Sequence, residues 1–159
     1  MLEFVKLVII GVDSSGHVKN PPIYMVASRV SQNKGQICHG VYVSKKKHNE
    51  LENTCKDWAD KISAAMIYKS IFPIFFENDA IFIDKDFQGK SPIIEKHLKK
   101  LLRATYPRRE PLANPTVYFI PENKCGEVKD AHLKTQKPRR KIVTFEKNPS
   151  FAHELEILK

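Results

Sequence analysis

Four aspartates and one histidine are the side chains of this chain whose setting points to polar chemistry. Asp13 closes the run Leu7-Val8-Ile9-Ile10-Gly11-Val12. A short run of β-branched residues predicts a buried strand, and Ser14-Ser15-Gly16 predicts a turn after it. Asp84 closes a second run, Ala80-Ile81-Phe82-Ile83. Asp86 follows two residues on, and Asp130 and His132 lie in Val128-Lys129-Asp130-Ala131-His132. Open sheets bind ligands at strand ends, so a carboxylate there, with small residues beside it, is a candidate ligand. An aspartate after a strand also serves the local hydrogen bonding of turns. If two carboxylates are brought together they repel, and a divalent cation relieves the repulsion. Oxygen donors in an open, solvated site favour Mg2+ or Mn2+. Two such ions about 4 Å apart activate a water and stabilise the leaving oxygen in phosphodiester hydrolysis. Asp13 and Asp84 are the candidate shared ligands. Asp130 and Asp86 are candidates to complete the metal set, with Asp13, Asp84 and Asp130 catalytic. His132 is a candidate for proton transfer or product release, although a lone histidine in a polar segment is more commonly solvated.

The elements that would position these groups can be read in order. Ile23–Val30 and Gln36–Val43 have strand composition. Pro21-Pro22 predicts a loop before the first of them. Short connections make the first three strands an antiparallel meander. A long helix is expected from about Lys46 to Ser70, with Leu51, Cys55, Trp58, Ile62, Ala65 and Met66 on one apolar face. The fourth strand runs from Asp79 to Asp84. Ser91-Pro92 predicts a helix start, with Ile94, Leu98, Leu101 and Leu102 buried. A fifth strand lies between Pro115 and Pro121. The segment from Glu122 to Lys141 is polar and strongly basic. Ile142–Phe145 predicts a short strand or an extended segment, and Asn148-Pro149-Ser150 opens a short terminal helix.

With 159 residues, one domain is expected, divided into a core over 1–125 and a basic C-terminal segment over 126–159. Hydrophobic content of 42% and charged content of 28% are those of a soluble globular protein. The net charge of +9 suits a polyanionic partner, most often nucleic acid, or else reflects a generally lysine-rich surface. Lys96, Lys99, Lys100 and Arg103 form one face of a helix, and Lys129, Lys134, Lys137, Arg139, Arg140 and Lys141 crowd the C-terminal segment. Such groups bind phosphates without reading sequence; for the helix, a solvated face is the competing reading. The C-terminal run is charged enough to expect a partner, an acidic protein or a ribonucleoprotein. Three cysteines, Cys38, Cys55 and Cys125, form no CxxC pair, so zinc and disulfide frameworks are not expected. No signal peptide or membrane span is read, and a reducing, cytoplasmic setting is expected.

Strand, strand, strand, helix, strand, helix, strand is the order of the ribonuclease H-like fold. In that arrangement the helical crossovers are right-handed, and the first and fourth strands are neighbours, so Asp13 and Asp84 lie side by side. Ile10-Gly11-Val12-Asp13-Ser14-Ser15-Gly16-His17, with Pro21-Pro22 beyond, resembles a shortened N-terminal motif of type 2 ribonuclease H. Ile83-Asp84 is similar to that family's second-strand aspartate, and Lys129-Asp130 to its later Lys-Ala-Asp element. The chain also resembles small archaeal proteins of this fold. The family's glutamate after the first aspartate is Ser14 here, and its glycine-rich loop carries His17 and Asn20. The serine- and alanine-rich helix after its last aspartate is replaced by the basic run through Pro138.

The expected architecture is therefore an α/β, ribonuclease H-like, five-stranded mixed sheet with flanking helices. The expected function is a metal-dependent nuclease acting on structured or RNA–DNA hybrid nucleic acid, with Mg2+ or Mn2+. His17, Lys19, Asn20, Lys96, Lys99, Lys100, Arg103, Lys129, Lys134, Arg139 and Arg140 are the candidate nucleic-acid contacts. Two alternatives stand beside it: a non-catalytic nucleic-acid-binding module of the same fold, which Ser14 favours, and a basic subunit of a larger assembly.

Overall fold

A computed structural model describes residues 8–17, 20–31, 35–75, 79–84, 91–105 and 115–159. Among them is one mixed sheet of six strands in the order β5-β4-β1-β2-β3-β6. The strands are β1 (Ile9–His17), β2 (Asn20–Ser31), β3 (Gly35–Val43), β4 (Ala80–Asp84), β5 (Val117–Ile120) and β6 (Phe145–Lys147). β1, β2 and β3 form the expected antiparallel meander. β4 lies parallel to β1, and β5 parallel to β4, as two crossovers require.

Five strands were expected and six are present. The added strand, β6, lies parallel to β3 on what would be a free edge. Its place depends on Gly40, where an added Cβ would fall 2.5 Å from the Phe145 ring. The Gly40 N–H donates to the Thr144 carbonyl at 2.9 Å, and the Asn148 N–H to the Tyr42 carbonyl at 2.8 Å. β6 is itself the new edge, and at three residues it offers little to unwanted strand pairing.

Two other expectations are corrected. No turn follows Asp13, because β1 continues through Ser14, Ser15 and Gly16 to His17. Pro21 and Pro22 lie inside β2 and not in a loop. The β1–β2 register shifts between Ser15 and His17, and β2 first pairs with β3 at Ile23. The prolines thus fall at an irregularity and ahead of the β3 ladder, where a missing N–H is tolerated.

The long helix expected from Lys46 to Ser70 is two helices, α1 (Lys45–Leu51) and α2 (Trp58–Ile71). The break contains Asn53 at φ 63° and Asp57 at φ 58°. Asn and Asp tolerate the left-handed region better than other side chains, and the Thr54 hydroxyl donates to the Leu51 carbonyl at the end of α1. α2 is buried on almost every side, and α3 (Ser91–Thr105) and α6 (Ala152–Ile157) pack with it. Ile10, Val12, Ile81 and Ile83 meet Ile94, Leu98 and Leu101 in the main core on this face.

The opposite face carries α4 (Gly126–Thr135), followed by the single turn α5 (Lys137–Arg140). Alternation along β1 puts Gly11 and Asp13 on this side. Gly11 is what lets α4 cross, since a Cβ there would meet the Glu127 and Val128 backbone at 2.2 Å. A second, small cluster of Val26, Ala131 and Val143, with Cys38 and Phe145 against it, fills the interface. Residues 126–159 therefore add a helical layer on this face, one strand to the sheet and, through α6, a helix to the layer of α2 and α3. No described helix is long and apolar enough to cross a membrane.

Candidate functional site

The parallel register of β1 and β4 ends at Val12 opposite Ile83. The next residue on each strand is an aspartate, so Asp13 and Asp84 emerge side by side. Asp84 is the last residue described on β4, while β1 runs on to His17. Both side chains are almost wholly buried, at 4% and 6% exposure. Burial raises the Asp13 carboxyl pKa to about 7, and the negative charge of Asp84 pushes in the same direction. The Ser14 N–H, which donates to Asp13 Oδ1 at 2.8 Å, and His132 both oppose that rise.

α4 brings the third polar group. His132 Nδ1 lies 2.7 Å from Asp13 Oδ2. One proton between them is carried either by the imidazole, which then donates to the carboxylate, or by Asp13, which then donates to the ring. The His132 side chain is 38% exposed, so the pair opens to solvent through the ring. Val128 and His132 are one helical turn apart, and Gly11 and Asp13 two strand residues apart; these spacings match at about 6–7 Å. The close approach at Gly11 therefore sets the ring over Asp13.

The structure does not bring Asp130 to this pair. Its carboxylate accepts from the Ser28 hydroxyl and the Lys134 ammonium, each at 2.5 Å, on the β2–β3 side of α4. Burial works to raise its pKa, but these hydrogen bonds and that of Gln36 win, and the carboxyl lies below its usual range. Successive positions 130 and 132 point to opposite flanks of a helix, so only one of them can address Asp13. Lys134 is itself buried, at 4% exposure, which removes it from the set of nucleic-acid contacts. No group of three or more His, Cys, Asp or Glu side chains arranged to hold a cation occurs among the described residues.

The other candidates are dispersed. Asp86 and Lys19 lie outside the described residues. His17 and Asn20 are paired in the backbone register at the end of the β1–β2 hairpin. Lys96, Lys100 and Arg103 are exposed on α3, and Lys99 pairs with Glu95 at 3.6 Å. α3 lies on the core face, across the sheet from Asp13. Lys129 and Arg139 are exposed on the α4 side. Arg140 is held within the fold: its Nε donates to the Thr135 carbonyl at 2.6 Å, and its guanidinium stacks 3.8 Å from the Tyr24 ring centroid.

Sequence reasoning gave His132 less weight than Asp130, but His132 is the one that contacts Asp13, while Asp130 pairs with Ser28 and Lys134. Val128, Ala131 and Thr135 at helical spacing, all buried, are the signal that α4 packs on a sheet and turns His132 one way and Asp130 the other.

Fold and site together define an α/β domain with a mixed, helix-flanked sheet and a buried carboxylate pair at its centre. Among solved structures it is similar to ribonuclease H1 from the halophilic archaeon Halobacterium salinarum NRC-1, at 12% identity and a TM-score of 0.40, over 82% of this chain and 97% of that one. The chain matches no protein-family model and no curated protein sequence.

Proposed function

We propose that this chain is a ribonuclease H-like, metal-dependent nuclease domain, with Asp13 and Asp84 as the carboxylates that hold a divalent cation against a phosphodiester. The observation that supports it best is the in-register termination of the β1–β4 pair at two adjacent, buried aspartates. The donor set fits Mg2+ or Mn2+. Magnesium is commonly held by one or two carboxylates, with waters and substrate phosphates completing its shell. When bound, such an ion supplies a more acidic water and charge stabilisation at the phosphate.

The chain's own groups divide the remaining work. Asp84 and Asp13 supply oxygen donors, and Asp13 does so only after giving up its proton. His132 takes that proton or donates to the carboxylate, and so fixes the orientation of Oδ2. Lys129 is an exposed cation on the same helix and offsets phosphate charge. The test is calorimetry with Mn2+, comparing the native chain with Asp13→Asn and Asp84→Asn, followed by cleavage assays on hybrid, junction and structured RNA substrates. Binding that either substitution abolishes is expected. No heat at millimolar Mn2+ with the native chain overturns the reading.

A second reading is favoured by one observation. Asp130, the candidate third carboxylate, is engaged by Lys134 and Ser28, and Ser14 stands where another acid would be needed. A nucleic-acid-binding module without cleavage would show salt-dependent binding and no Mn2+-dependent products.

A further inference from the structure

Among the described residues, α4 packs chiefly on β1 and β2 of the face that carries Asp13 and reaches β4 less, while Asp84 at the end of β4 is buried. β4 presents Phe82 and Asp84 there, two residues apart on one side of the strand. Phe82 is in register with Tyr118 of β5, and Asp84 with Ile120. The Phe82 and Tyr118 rings meet edge to face, with centroids 5.4 Å apart at 73°. Tyr118 is 56% exposed, among the most exposed large hydrophobic residues described. A central strand pairs Tyr118 with Phe82, so the ring stands on a rigid support and not on a loop. Two strand residues span about 7 Å, which is close to the spacing of successive phosphates and bases in an extended nucleic-acid strand.

The helix beside β4 adds charge. Lys129 is one turn before His132, so both project from the flank of α4 that faces β4. Lys129 is exposed. An aromatic ring on a sheet, a cation at its border and the Asp13–Asp84 pair beyond it thus follow one another across a single face.

We infer that Tyr118, backed by Phe82, is a stacking platform for one unpaired nucleobase, next to the phosphate that faces Asp13 and Asp84. This rests on the function proposed above and narrows it. The substrate class is single-stranded nucleic acid, or a loop or junction with an unstacked nucleotide. A base inside a continuous duplex has its faces covered by its neighbours and offers nothing to Tyr118. Stacking tolerates any base, because every base has a π face, so the platform selects for strandedness and not for sequence.

The experiment is fluorescence anisotropy with a labelled mixed-sequence single-stranded RNA and the blunt duplex of the same sequence. Native chain, Tyr118→Ala, Tyr118→Phe and Asp84→Asn are compared. Tyr118→Ala is expected to weaken single-strand binding by roughly 5- to 100-fold, the range that loss of one stacked base produces, and duplex binding by less than about twofold. Tyr118→Phe restores single-strand binding, which separates stacking from loss of a hydroxyl. The side chain is exposed, so the alanine variant keeps its fold, and circular dichroism verifies this. Equal loss for both ligands, no loss for either, or no single-strand binding by the native chain overturns the inference. So does a native dimer that Tyr118→Ala disperses, since the platform would then be a contact between copies. The two readings fail separately. If Asp84→Asn leaves Mn2+ binding unchanged while Tyr118→Ala abolishes the single-strand preference, the metal reading falls and the platform stands. The reverse result removes the platform alone.

Discussion

A buried carboxyl that titrates near neutrality is destabilising in its charged form, and Asp13 is such a group. Its pKa is near 3.8 in the unfolded chain and about 7 in the fold. Between those values the native state holds a proton that the unfolded state has lost, so stability falls as pH rises through this window. Below pH 4 both states are protonated and the penalty is absent. Above pH 7 it is complete. Asp13→Asn removes the charge, so in chelator at pH 8 it should raise the unfolding free energy by about 4 kcal/mol at most, at about 1.4 kcal/mol for each pH unit crossed. At pH 4 the two proteins should unfold at the same urea concentration. A gain that does not depend on pH would mean that the carboxyl is not held protonated by its site. Lys134 gives the opposite case. Its ammonium is buried against Asp130, and Lys134→Ala leaves that carboxylate without its cation. A loss of about 1–3 kcal/mol is expected, measured by urea unfolding at pH 7. Because the Asp130 carboxyl lies below its usual range in the fold, the native pair contributes fully above pH 4, and its contribution declines as pH falls through the lowered pKa.

At the level of elements, two glycines decide where the second layer and the sixth strand can lie. Gly11→Ala puts a methyl group into the backbone of α4 at Glu127 and Val128. Backbone cannot swing aside as a side chain can, so a loss of about 3 kcal/mol is expected, at the upper end of overpacking costs. The same change should shift His132 relative to Asp13 and weaken Mn2+ binding. Gly126→Ala is the control, because nothing lies within 4 Å of the added carbon; it should leave stability within about 0.5 kcal/mol. The cores of the first five strands and the core face of α3 were legible in the sequence, since period and run length carry them; the neighbourhood of β1 and β4 was expected from the resemblance in element order. α4 was not, because its buried face is three small or branched residues among charges. Nor was the hydrogen bond from Ser28 to Asp130, which depends on β2 arriving beside α4; the Asp130–Lys134 pair itself has the i,i+4 spacing of one helix face. The break between α1 and α2 was hidden for another reason. The apolar stripe through Cys55 continues across it, while the left-handed Asn53 and Asp57 interrupt the backbone.

For the molecule as a whole, the net charge is +9, and its described cations stand differently with respect to the site. Lys134 and Arg140 are held inside the fold, and the α3 cations lie across the sheet from Asp13. Lys129, Arg139 and Lys141 remain exposed on the α4 side. If the polyanion lies on the carboxylate face, this second set is neutralised by phosphates and the α3 set is not. Each contact contributes about 0.7 to the slope of log affinity against log salt for a single strand. The double variant Arg139→Ala/Lys141→Ala should therefore reduce that slope by about 1.4, two contacts' worth. Lys96→Ala/Lys100→Ala should leave the slope unchanged, although it removes the same formal charge. Anisotropy titrations between 50 and 300 mM salt, on the order used to resolve such slopes, separate the two surfaces. Equal reductions would show that affinity follows net charge alone, and that the bound strand is not confined to the face that carries Asp13 and Asp84. A reduction confined to the α3 variant would move the interface to the opposite side of the sheet, away from the carboxylate pair, and the nuclease reading would fall with it.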